Sequence, residues 1–66
     1  MLHKSVTVSD PEGRQVRVDL DIVPDEDDPR AILSAWRDGE NIGEKVVAPN
    51  YKLSSAAATK WVASDF

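Results

Sequence analysis

Within Arg14–Val23 apolar and polar residues alternate from Gln15 to Ile22. Val16, Val18, Leu20 and Ile22 are apolar, and Gln15, Arg17, Asp19 and Asp21 lie between them. A period of two sends successive side chains to opposite faces of a β-strand, so the stretch predicts a strand with one dry and one wet face. Antiparallel sheets commonly carry such half-buried strands. Upstream, Leu2, Val6 and Val8 alternate with Ser5, Thr7 and Ser9, and Lys4 breaks the apolar parity. This predicts a first strand within Leu2–Ser9, since Val and Thr suit a pleated, half-buried surface. Asp10-Pro11-Glu12-Gly13 separates the two strands. Asp opens turns, Pro presets the next φ, and Gly accepts the left-handed conformation that closes them. The first 23 residues therefore predict a β-hairpin.

The pattern changes after Pro24, which cannot donate a ladder hydrogen bond and ends the second strand. Asp25-Glu26-Asp27 reads as loop. Asp28 suits a helix N-cap and Pro29 the first helical position. Pro29, Ile32, Leu33 and Trp36 then fall on one stripe of a helix running to about Arg37, with Gly39 as its stop. So short a helix must pack on the apolar face of the hairpin, with Trp36 as its largest contact. Glu40–Gly43 reads as a turn. Glu44–Ala48, carrying Val46 and Val47, predicts a short third strand that Pro49 ends. Leu53 to about Ser64 predicts a second helix capped by Ser54, with Leu53, Ala57 and Trp61 in a stripe and Val62 beside it. The expected fold is α+β: a small antiparallel sheet packed with two helices, in the order β-β-α-(β)-α.

Size then limits what this fold holds. Sixty-six residues allow one domain, 1–66, and no second core. A domain this small buries only about 60% of its unfolded surface, so its stability is expected to be marginal. Hydrophobic residues make up 41% and charged residues 30%, too apolar for a disordered chain. The absence of cysteine excludes disulfides and thiolate metal sites. No apolar run approaches a membrane span and the N-terminus lacks a signal peptide's apolar region, so a cytoplasmic location is expected.

Charge changes the picture more. Between Asp19 and Asp28 stand six acids (Asp19, Asp21, Asp25, Glu26, Asp27 and Asp28) and no base. That window carries −6 against −4 for the whole chain, so the rest is net +2. Asp25–Asp28 place their four charges within about 14 Å of extended chain. That spacing is close to the charge density of one DNA strand. Asp19 and Asp21 would project from one sheet face about 6.8 Å apart. These six residues are the candidate partner-binding site. The plainer reading is a solvated loop and a soluble strand face, partly neutralised by Arg14 and Arg17.

Other chemistry is poorly supplied. An EF-hand loop needs glycine at its sixth position and glutamate at its twelfth. Counting from Asp25 gives Arg30 and Trp36, and counting from Asp19 gives Pro24 and Arg30. No metal and no cofactor is expected. His3 is the single histidine, and the sequence places no partner beside it for nucleophilic catalysis. An enzyme is not expected. The eight basic residues are scattered and the net charge is negative, so direct nucleic-acid binding is not expected either. The opening V-T-V…G-R-Q-V-R-V resembles swapped-hairpin antitoxins and regulators, but their downstream strand signature with an Ile-Pro step is missing.

In size, acidity and lack of catalytic residues the chain resembles the short inhibitors encoded by phages and mobile elements, including anti-CRISPR proteins. That class shares no motif, so no residue role carries over. The resemblance implies an inhibitor that binds another protein and occupies its basic nucleic-acid surface, with the six acids imitating backbone phosphates. The alternative is a structural or assembly adaptor, or a homodimer, using an open sheet edge and the region of Tyr51, Trp61 and Phe66.

Overall fold

In the computed structural model, which describes residues 3–66, the alternating stretch forms β2 (Gln15–Val23), paired antiparallel with β1 (His3–Ser9). The Asp10–Gly13 turn joins them as its residue types predict. The Gly13 N–H donates to the Asp10 carbonyl at 2.9 Å, and Gly13 has φ +84°. Leu2, the expected start of the first strand, lies outside the described residues.

The next segment overturns the expected order. Arg30–Arg37 is not a helix but a strand, β3, followed by β4 (Glu40–Val47) and one helix, α1 (Ser55–Asp65). The sheet is a four-stranded antiparallel meander in the order β1-β2-β3-β4, so the fold is β-β-β-β-α. Asp28 and Pro29 therefore lie in the β2–β3 loop, and neither starts a helix. Two physical reasons explain the correction. Ala31, Leu33 and Ala35 alternate as well as any strand, but Ile32 between them and Trp36 after them are also apolar, which hides the period of two. The decisive local signal is Asp38-Gly39. Asp38 has φ +55° and Gly39 φ +78°, the two positive values that a tight type I′ hairpin turn demands. Gly39 closes a hairpin rather than a helix, and Glu40–Gly43 belongs to β4 rather than to a turn.

β4 pairs Ala35 with Gly43 but Trp36 with Asn41. Ile42 is thus the extra residue of a β-bulge, which turns it toward the core. Such bulges are common on edge strands, where they hinder pairing with further chains.

Register divides the sheet into two faces. Val8, Val16, Val18, Leu20, Ala31, Leu33 and Ala35 line one face and are buried. On this face Leu53, Ala58, Trp61 and Val62 complete the core. Ser54 caps α1 as expected: its Oγ accepts from the Ala57 N–H at 3.1 Å. The stripe of α1 is rotated slightly from expectation, with Ala58 buried and Ala57 only half-buried. α1 lies nearest β1, so it covers the sheet unevenly. Phe66 closes the far end, its ring edge-on to Trp61 at 5.4 Å and over Gly43, where a Cβ would meet ring atoms at 2.5 Å. Trp36, expected as the core's main helical contact, lies on the opposite face.

Candidate functional site

No helix covers the second sheet face. By register its rows run His3, Asp21, Ile32, Val46; then Ser5, Asp19, Ser34, Glu44; then Thr7, Arg17, Trp36, Asn41. β1 and β2 supply polar groups, while β3 and β4 supply Ile32, Trp36 and Val46. Ile32 and Trp36 are half-buried and Val46 is 65% exposed. Ile32 and Val46 share a row and form a small apolar patch, while Trp36 stands apart from them across the polar Ser34–Glu44 row.

The polar half is wired internally. Asp19 is 7% exposed although no helix covers it. Its Oδ1 accepts from Ser5 Oγ at 2.8 Å and faces Arg17 Nε at 3.2 Å. The Arg17 guanidinium also lies 5.6 Å from the Trp36 ring centre, a cation–π distance. Beneath it the Trp36 indole N–H is buried without an acceptor, a cost that a fold seldom bears without cause. Asp21 Oδ1 lies 2.6 Å from His3 Nδ1. That hydrogen bond, opposed by desolvation and helped by the charges of Asp21 and Asp19, raises the His3 pKa above its ordinary 6.5.

His3 Nε2 in turn lies 3.1 Å from Ser5 Oγ, so Ser5, His3 and Asp21 stand in the connectivity of a Ser-His-Asp triad. The sequence places no partner beside His3; strand pairing across 18 residues supplies one. The chemistry differs from a triad at one proton. Ser5 donates its hydroxyl hydrogen to Asp19, so a protonated His3 donates to Ser5 rather than accepting from it. Ser5 and His3 are also exposed, without the water exclusion that activates a serine.

The remaining acids occupy the β2–β3 loop at the end of this face, where Val23 pairs with Arg30. Asp25 Oδ1 accepts from the N–H groups of Asp27 at 2.9 Å and Asp28 at 3.3 Å, a local turn that organises the loop. Asp28 pairs with Arg30. Asp25, Glu26 and Asp27 are exposed and pair with no base among the described residues. The structure thus splits the six candidate residues. Asp19 and Asp21 sit on the sheet face and are paired, Asp28 is paired in the loop, and three carboxylates remain free.

Arginine and lysine have separate tasks. Arg14, Arg17, Arg30 and Arg37 all pair with carboxylates. Arg14 is not on the sheet face but braces the first turn with Arg37, both on the nearly buried Asp10, at 3.5 and 3.3 Å. Asp10 also accepts from the N–H groups of Glu12 and Arg14. Burial works to raise the Asp10 pKa, but these two N–H groups with Arg14 and Arg37 outweigh it and hold the carboxyl below its ordinary value. No lysine makes an ion pair among the described residues. Of the aromatic group expected at an interface, Trp61 is core, Tyr51 is half-buried against it, and Phe66 is the exposed member.

Among the described residues, no group of three or more His, Asp or Glu side chains gathers to hold a metal ion, and no helix is long and apolar enough to cross a membrane. No protein-family model, curated protein or solved structure matches this chain.

Proposed function

We propose that the chain is a non-enzymatic protein-binding module that docks on a basic surface of a partner, of the kind that holds nucleic acid. The acidic β2–β3 loop leads the encounter, and the Ile32–Val46 pair beside it, with Trp36 two rows further along β3, supplies the dry contact. The observation that carries this reading is the loop itself. Three unpaired carboxylates, Asp25, Glu26 and Asp27, stand at the rim of an uncovered sheet face, in a chain with net charge −4. Charge complementarity chiefly sets encounter rate and register, while an aromatic or aliphatic anchor supplies most of the holding energy. A module that occupies such a groove excludes nucleic acid from it. The corresponding activity is inhibition, as in the small phage inhibitors of the anti-CRISPR kind, and it would be exercised in the cytoplasm.

The test is a competition. Immobilised chain is offered host lysate, and the captured proteins are challenged with DNA and RNA oligonucleotides over a salt series. Capture of nucleic-acid-binding proteins that is reversed by either polymer, and lost in the Asp25→Asn/Glu26→Gln/Asp27→Asn triple variant, supports the reading. Capture indifferent to added nucleic acid and to the triple variant refutes it. One observation favours self-assembly as the second reading: Val46 is 65% exposed on the β4 edge. Light scattering of the purified chain separates the two, because a dimer abolished by Val46→Lys would place Val46 and the β4 edge within a homodimer.

A further inference from the structure

We propose that the cleft between β4 and α1 binds a small organic phosphate. It lies on the helix side of the sheet, away from the face just discussed, and its case is independent of that reading. α1 leans toward β1 and leaves a gap of about 240 Å³ on the β4 side. Lys45 of β4, Tyr51 of the connecting segment and Lys60, Trp61, Ser64 and Asp65 of α1 line it.

Three features assign the ligand. Both ammonium groups lack a carboxylate partner, whereas every arginine of the chain has one. Two lysines lining one cleft suit a dianion better than a monoanion, and lysine holds phosphate as a point charge. Part of the lining is aromatic: Tyr51 is half-buried and Trp61 nearly buried, so a ligand with a flat apolar body covers carbon as well as charge. The volume falls below the ~300 Å³ at which drug-sized sites begin, which limits the occupant to a compact molecule such as a monoaryl phosphate. Asp65 is the one opposing charge on the rim, and it sets the sign of a control.

The experiment titrates the ¹⁵N-labelled chain at low ionic strength with phenyl phosphate, inorganic phosphate and benzoate. Amide and Trp61 indole N–H shifts are followed by NMR. Phenyl phosphate is expected to bind tightest, with shifts centred on Lys45, Lys60 and Trp61. Lys45→Ala and Lys60→Ala should each weaken it by roughly tenfold, the scale of one lost charge-assisted contact. Lys52→Ala, outside the cleft, should leave it unchanged, and Asp65→Asn should tighten it. The substituted lysines are exposed, so the variants fold. The proposal is overturned if benzoate binds as well as phenyl phosphate, if Lys52→Ala weakens binding as much as Lys45→Ala, or if millimolar phenyl phosphate leaves Trp61 and both lysines unshifted.

Discussion

Replacing Ile32, Leu33 and Trp36 singly by alanine separates the strand from the helix that the same residues suggested. On a helix the three share one buried stripe, and each truncation would be costly. On β3 they divide. Leu33 is 2% exposed, points at α1, and is flanked by β2 and β4. Buried Leu→Ala substitutions cost about 2–5 kcal/mol. A central strand held on both sides collapses little into a cavity, so about 3 kcal/mol is expected. Ile32 and Trp36 face the uncovered side and are half-buried. Ile32→Ala should cost about 1 kcal/mol, roughly half of what full burial of such a side chain is worth. Trp36→Ala forfeits a similar burial term and an exposed cation–π contact of about 0.5–1 kcal/mol, and it relieves an unpaired indole N–H. A 66-residue domain has only about 3–10 kcal/mol in total. Urea titrations followed by far-UV circular dichroism should therefore find the largest midpoint loss in Leu33→Ala, with Ile32→Ala and Trp36→Ala shifted much less. Equal losses at Ile32 and Leu33, or a larger loss at Ile32, would refute the two-faced strand. Ile32→Ala and Trp36→Ala are also the variants that should weaken partner capture.

Three further outcomes follow. Gly39→Ala forces a side chain into φ +78° and should cost about 1–2 kcal/mol, read as a lower thermal midpoint, whereas Gly39→Asn should recover most of it. Asp10 has a pKa lowered by folding, so its contribution to stability is complete above about 3.8 and is lost as pH falls through the lower folded value. Asp10→Asn should flatten that acid limb in a pH series of urea midpoints, and an unchanged limb would show that other carboxyls govern it. His3 has the opposite sign: its raised pKa gives a contribution complete below 6.5 and lost as pH rises through the folded value. His3→Gln should remove that alkaline decline, and Asp21→Asn should remove it too, because Asp21 is the principal cause.

The site was partly legible in advance. The acidic window is a fact of composition, and the alternation in β2 already put Asp19 and Asp21 on one face. Their neutralisation was not legible, because His3 and Asp21 meet only through the register of β1 on β2. Of the two arginines within Arg14–Val23, Arg17 meets Asp19, whereas the first turn draws Arg14 to Asp10. The lysine cleft was invisible, since Lys45 of β4 and Lys60 of α1 come to line one cleft only when the helix folds back onto the sheet.

Sequence alone determined the local elements whose signals agree. The hairpin is dictated by strict alternation around Asp-Pro-Glu-Gly, and α1 by a serine cap before an alanine run. Both depend on interactions within a few residues. Tertiary structure decided Arg30–Arg37, where a helical stripe and a strand alternation coexist in the same letters. There β2 on one side and β4 on the other satisfy the backbone, and burying Ala31, Leu33 and Ala35 in the core outweighs any local preference. That choice moved Trp36 from the core to the open face, and with it the surface from which function is argued.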